Sequence, residues 1–198
     1  MTTVVGITGG IGAGKTTLSE HLKKNGFLVH ESDKVVSKMY TKPKKSFKEF
    51  IKKNISYELV KNKKINKKKL TEIIFNNTTL KKRLEKHIHK EVRLSRKEFI
   101  QKNKKTKKNI IFVDIPLLLE NNLELGLDLV VCIISSKKNR TKRILKNKKF
   151  NKKTLNKIFR AQTSDKDRRR RSQIIINNNK TKKDFIFNAE QALIGLLK

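Results

Sequence analysis

Residues 2–22 read TTVVGITGGIGAGKTTLSEHL, and within them Gly9, Gly14, Lys15 and Thr16 hold the G-x-x-x-x-G-K-[ST] spacing of a phosphate-binding loop. The spacing has a physical reason. Glycines let the backbone curl until successive N–H groups point inward at phosphate oxygens, a path that side chains would obstruct. Lys15 then reaches the β and γ phosphates, and the Thr16 hydroxyl is placed to ligate Mg²⁺. The flanks fit. Thr3, Val4, Val5 and Ile7 form a β-branched run before the loop, and Thr16 to Lys24 reads as an amphipathic helix with Leu18 and Leu22 on one face. Strand, loop and helix stand in the required order, and the helix N-terminus adds its own preference for an anion.

Working outward, Asn25-Gly26 stops that helix, and Phe27, Leu28 and Val29 make a second strand that ends in His30, Glu31, Ser32 and Asp33. In an open α/β sheet the carboxyl ends of strands face the ligand crevice, so Glu31 and Asp33 are expected near the phosphate loop. A carboxylate there can take the proton of an attacking hydroxyl or help hold Mg²⁺; a helix N-cap is the equally good structural use of Ser32 or Asp33. From Lys34 to about Lys108 apolar residues recur at helical spacing with no strong strand between them, as in Phe47, Phe50 and Ile51, then Leu70, Ile73 and Ile74. This predicts a helical insertion between the second and third sheet strands. In it LEKHIHKEVRLSRKEF sets His89, Arg93, Arg96 and Lys97 about a turn apart, either as donors to one ligand or as a solvated basic face. Lys102 to Lys108 reads as a polar break.

The stretch 109–120, NIIFVDIPLLLE, predicts a buried parallel strand, Ile110 to Val113, with Asp114 at its carboxyl end as a Walker-B-like acid able to hold Mg²⁺. Leu127 to Ile134, LDLVVCII, reads as a fourth strand, and its Cys132 as a small core residue. Two helical pieces follow, joined around Asn147 to Asn151. Arg140 and Arg143 are i, i+3 neighbours on the first, and Gln162 lies near the end of the second. They are expected to form a mobile lid that brings guanidinium groups over a transferring phosphoryl group and excludes water. Of Arg168 to Arg171 at most one or two can reach a site, since four consecutive residues cannot share one helix face. Gln173 to Ile176 predicts the fifth strand and Thr181 to Leu197 a closing helix with Phe185, Ala189, Leu193 and Leu196 inward.

The whole chain bounds these readings. Its 198 residues suit one substantial core with a smaller inserted subdomain. No segment approaches the roughly 18 uninterrupted apolar residues of a membrane span, and no basic stretch leads into an apolar signal core, so no membrane partner and a cytoplasmic location are expected. Lys and Arg number 51 against 17 Asp and Glu, a formal net charge of +34. Such a balance attracts anions generally, nucleotides included. The excess is mostly Lys spread along the chain beside Asn and Ile, without the interleaved aromatics of a base-stacking surface. The expectation is therefore no specific nucleic acid, with nonspecific polyanion binding at low salt.

GITGGIGAGKTT, Glu31-Ser32-Asp33, LEKHIHKEVR, VDIPLLLE, Arg140 with the Gln162 helix, and the closing IIINN together resemble the dephospho-CoA kinase family, in order and over essentially the full chain. The resemblance implies an α/β fold of the P-loop NTPase class: a five-stranded parallel sheet with flanking helices, a helical substrate-binding insertion and a helical lid. The core would comprise about 1–33, 109–138 and 172–198, the CoA-binding insertion 34–108 and the lid 139–171. It implies transfer of the γ-phosphoryl of ATP, with Mg²⁺, to the ribose 3′-hydroxyl of dephospho-CoA by a monomer. Gly10, Gly12, Ala13, Gly14, Lys15, Thr16 and Thr17 would hold ATP, and Thr16 and Asp114 the metal. Asp33 would be the base on the 3′-hydroxyl, with Lys15 and Arg140 also catalytic. Asp33, His89, Arg93, Asp114 and Leu118 would bind the acceptor. Four residues depart from the family's pattern: Glu31 for Asp, Lys90 for Pro, Asn147 for a lid arginine and Gln173 for Asp. A nucleoside monophosphate kinase-like enzyme with another acceptor, or a basic nucleic-acid-binding protein, remain alternative readings.

Overall fold

The computed structural model describes residues 2–61, 64–75, 77–104, 109–146 and 150–197. Strand β1 (Thr3–Gly9) runs through the loop into helix α1 (Lys15–Lys24), and β2 (Leu28–Glu31) passes directly into α2 (Ser32–Thr41). Next come α3 (Lys45–Asn54), the short strands β3 (Val60–Lys61) and β4 (Lys64–Ile65), α4 (Lys67–Phe75) and the long α5 (Thr78–Lys104). The chain then returns through β5 (Ile110–Asp114), β6 (Leu129–Ile134), α6 (Lys137–Lys146), α7 (Lys152–Ala161), α8 (Asp165–Arg170), β7 (Ile174–Asn177) and α9 (Lys182–Leu197).

Five strands form one parallel sheet in the order β2-β5-β1-β6-β7. All seven residues of β1 pair on one side or the other, Val5 opposite Phe112 of β5 and Leu129 of β6. A strand so flanked, with helices over both faces, has no side for polar residues, which is why Val4, Val5, Ile7 and the whole of β5 read as unbroken apolar runs. From β1 the chain moves first toward β5 and β2 and afterwards to β6 and β7. The carboxyl end of β1 is thus the switch point where a ligand crevice opens, and the glycine loop leaves from there.

The core beneath that loop joins Val5, Ile7, Phe112, Val131 and Ile133 of the sheet to Leu18 and Leu22 of α1 and Phe185, Ala189 and Leu193 of α9. Each Val, Ile, Leu or Phe among them, fully buried, contributes about 1.5–3 kcal/mol. Leu118 packs so close to Gly6 that a Cβ there would stand 2.9 Å from it. Polar side chains complete the sheet's amino end. The Asp128 carboxylate accepts the Val4 N–H at 2.7 Å, and the Gln173 amide oxygen accepts the Val130 N–H at 2.8 Å. These bonds explain why β6 starts at Leu129 rather than Leu127 and β7 at Ile174 rather than Gln173.

The chain divides into two compact units, Met1–Glu31 with Ile100–Lys198, and Ser32–Phe99. The smaller has its own core of Met39, Phe47, Ile51, Leu59, Ile65, Leu70 and Leu84. Its helical run is broken by the β3–β4 hairpin, in which Val60 pairs with Ile65. The apolar spacing predicted no strand there. Arms of two residues carry too little alternation to register as one. Helix α5 runs to Lys104, into the expected polar break, whose residues 105–108 lie outside the described residues, as does Asn147.

Candidate active site

The loop 9–14 bends through positive φ at Gly9, Gly12 and Gly14. At Gly12, with φ +74°, a Cβ would also press within 2.9 Å of Ile144 and 3.1 Å of the Arg140 carbonyl, so both conformation and space require glycine. The loop's carbonyls are drawn back into the protein. Lys15 Nζ donates to Gly9 O at 2.9 Å and Ala13 N–H to Gly10 O at 3.0 Å. Asn178 Nδ2 donates to Ala13 O at 2.7 Å, and Arg143 Nη1 to Gly12 O at 3.3 Å. Arg143 is itself held by the Ser135 hydroxyl and by the carbonyl and side-chain oxygens of Asn178. Tying back the carbonyls turns the partial negative charge of the loop away from its hollow, which suits an anion. Ala13 is buried, Gly14, Lys15 and Thr17 are half-buried, and Thr16 is exposed at the mouth of α1.

Asp114 ends β5 at 8% exposure, in register with Ile7 of β1 and Glu31 of β2. The Ser19 hydroxyl, one turn along α1 from Lys15, donates to its Oδ2 at 3.4 Å. Thr16 and Asp114 thus offer hydroxyl and carboxylate oxygens, the donor chemistry of a hard divalent cation. Among the described residues no three His, Cys, Asp or Glu side chains converge on a metal site. The donor set fits Mg²⁺ carried by phosphates, which takes only one or two protein oxygens, rather than an all-protein cage. Glu31 is ion-paired to Lys23 of α1.

Arg140 is buried. Its guanidinium lies over the Phe159 ring at 5.1 Å, pairs with Asp165 at 3.3 Å and packs on Gly10, where a Cβ would stand 3.2 Å from Cζ. Burial lowers its pKa from the ordinary value; Asp165 opposes that shift and Arg168 adds to it. The buried Nε has no hydrogen-bond partner among the described residues, which marks a place for an acceptor such as a phosphate oxygen or water. Arg168, 2% exposed, bonds Asp165 at 2.9 Å and Glu120 at 3.1 Å, and Glu120 also accepts the Thr163 N–H at 2.9 Å. Of the four consecutive arginines, Arg168 alone comes to the loop. Arg171 pairs with Glu124, Arg170 with Asp167, and Arg169 is exposed.

Leu118 needs correction as an acceptor-binding residue. It is fully buried against Gly6, because Leu117 after Pro116 takes a left-handed φ of 55° and becomes the exposed leucine of the run, at 46%. In the second unit, Asp33 lies in the first turn of α2, exposed and without a hydrogen-bond or ion-pair partner among the described residues. His89 and Arg93 are exposed one turn apart on α5. Neighbouring His87 instead stacks on Phe50 at 4.0 Å between centroids, and burial lowers its pKa. The spacing that singled out His89 could not tell which histidine enters the core. Arg143, Asn178, Glu120 and Asp165 contribute to the site without having been singled out as site residues; Glu120 and Asn178 lie in the quoted VDIPLLLE and IIINN stretches and Arg143 in the i, i+3 pair with Arg140, while Asp165 had no signal.

A glycine loop at the switch point of a parallel sheet, an acid ending the adjacent strand and guanidinium groups from α6 and α8 at the loop define a phosphate-loop kinase. The model of the dephospho-CoA kinase family matches residues 3–184. A dephospho-CoA kinase of Fusobacterium nucleatum subsp. nucleatum is 35% identical over 95% of both chains, and one of Bartonella quintana is 32% identical over 89% of both. The solved structure of dephospho-CoA kinase from Campylobacter jejuni superposes with a TM-score of 0.75 at 27% identity, covering 99% of this chain and 98% of that one. The chain belongs to the dephospho-CoA kinase family.

Proposed function

We propose that this chain transfers the γ-phosphoryl group of ATP to the ribose 3′-hydroxyl of dephospho-CoA, giving coenzyme A and ADP. The observation that carries the reading is the loop whose carbonyls are tied back while Arg140 stands at Gly10 with a buried Nε that meets no acceptor among the described residues. The 3′-oxygen forms its bond to the γ-phosphorus as the bond from that phosphorus to the β,γ-bridging oxygen breaks. Asp33 takes the 3′-hydroxyl proton, a role its exposed, unpaired carboxylate supports. Lys15 leaves the Gly9 carbonyl for the phosphates, and Arg140 offers charge to the equatorial oxygens of the transferring group. His89 and Arg93 bind the acceptor's anionic groups. Thr16 and Asp114 would hold Mg²⁺, which would supply positive charge against the charge developing on the phosphates. Movement of α6 and α7 closes the site against water.

A coupled ADP-release assay at physiological salt, offering dephospho-CoA, AMP, CMP or adenosine, tests the reading. Turnover with dephospho-CoA alone and formation of CoA are expected. Turnover with a nucleoside monophosphate instead overturns the acceptor; no turnover with any of them overturns the reaction.

A further inference from the structure

Gln162 ends α7 in an extended conformation, φ −91° and ψ 149°, and its side chain turns back to the phosphate loop, where Oε1 accepts the Ile11 N–H at 3.0 Å. Only the oxygen of a carboxamide accepts, so the orientation of the side chain is fixed and its NH₂ group points away from Ile11. That group makes no hydrogen bond among the described residues. The segment carrying it is pinned immediately afterwards, by the Thr163 N–H on Glu120 and by the Ser164 hydroxyl accepting the Asp167 N–H at 3.1 Å. Gly10, next to Ile11, is where the Arg140 and Arg168 guanidinium groups approach the loop. A clamped neutral donor is therefore held to the loop one residue from the glycine that the two buried guanidinium groups approach.

Resting on the phosphotransferase reading above, we propose that Gln162 is a further catalytic residue. Oε1 stays on the Ile11 N–H while the NH₂ group donates to an oxygen of the γ-phosphoryl group during transfer. Charge spreads over three equatorial oxygens in that transition state, and Lys15 and Arg140 cannot supply every donor those oxygens accept. A carboxamide adds a preoriented hydrogen bond without burying another charge. No proton leaves Gln162 and none of its bonds changes.

The test uses the full chain and two variants, Gln162→Glu and Gln162→Ala. Glutamate keeps an acceptor for Ile11 but has no donor; alanine removes both. Affinity is measured for ADP with Mg²⁺ and for the same pair with aluminium fluoride, a mimic of the group in flight, beside kcat with dephospho-CoA and the thermal midpoint. Both variants are expected to bind ADP within about twofold of the parent and to lose on the order of 10²-fold in affinity for the fluoride complex and in kcat. Glutamate should do no better than alanine, with its thermal midpoint near the parent's. If the glutamate variant keeps parental affinity for the fluoride complex, or if ADP binding falls in parallel, Gln162 only braces the loop and the proposal fails. A parent that does not bind the fluoride complex more tightly than ADP overturns the kinase reading as well, which separates the two failures.

Discussion

Asp33 carries the sharpest residue-scale prediction, because its carboxylate is exposed and unpaired among the described residues. Asp33→Asn keeps the shape and removes the base, so kcat should fall by about 10²–10⁴-fold while ATP affinity, measured by calorimetry, stays put. Undiminished turnover would take the base role from Asp33. The positions of Lys15 and Thr16 at the mouth of α1 and of Asp114 at the end of β5 were legible because they follow from spacing along one loop and one strand. Leu118 misled because Leu117 and Leu118 are chemically identical, and only a left-handed residue after Pro116 decides which of them faces water. Gln173, where the resemblance expects Asp, still supplies an acceptor at the start of β6. An amide oxygen accepts the Val130 N–H as a carboxylate would.

At the scale of elements, the junction of α7 and α8 is held by a cluster in which the buried Arg140 and Arg168 meet the half-buried Asp165 and Glu120, two positive and two negative groups. Removing one member leaves a charge uncompensated in a dry place. Glu120→Ala should therefore cost about 3 kcal/mol or more in urea unfolding and lower the midpoint accordingly. The same residue gives a pH signature. Burial alone would raise the Glu120 pKa, but the Thr163 N–H and its own, with the charge of Arg168, outweigh burial and hold it below the ordinary 4.5. A carboxyl group lowered in the folded state stabilises fully above its unfolded value, and that stability is lost as pH falls through the native value. The advantage of the parent over Glu120→Gln should thus persist at pH 7 and shrink as pH drops below about 4.5; an advantage unchanged at pH 3 would remove the carboxylate from the account. The pairing within this cluster was not visible in the sequence, although Arg168 and Asp165 are i, i+3 neighbours, because Arg140 and Asp165 are 25 residues apart, Arg168 and Glu120 are 48 apart, and polar pairing has no period. The parallel strands were visible for the opposite reason: burial on both faces writes itself as a continuous apolar run.

Across the whole molecule the charge of +34 on 198 residues sets the conditions under which everything else is observed. Like charges spread over one surface repel, and salt screens them, with a Debye length of about 10 Å at 0.1 M and 3 Å at 1 M. The thermal midpoint should rise between 0.05 and 0.5 M sodium chloride, measured without phosphate or nucleotide, and affinity for a random DNA duplex should fall steeply over the same range. A flat midpoint would mean the Lys-rich surface is already locally compensated. Among the described residues no helix is long and apolar enough to cross a membrane. The shift to helical spacing after Asp33 falls beside the start of the smaller unit at Ser32, whereas its end at Phe99 and the hairpin inside it could not be read.

Cys132 sits fully buried in the middle of β6, and burial pushes its thiol up to about 11. As the chain's single cysteine it is shielded from solvent and almost wholly protonated at neutral pH, so maleimides and mild oxidants find nothing to attack in the folded protein. A cysteine introduced on the exposed face of α7 would therefore be the sole reactive handle. One dye or spin label could then follow this helix through a catalytic cycle, with no need to strip the native sulfur from the sheet first.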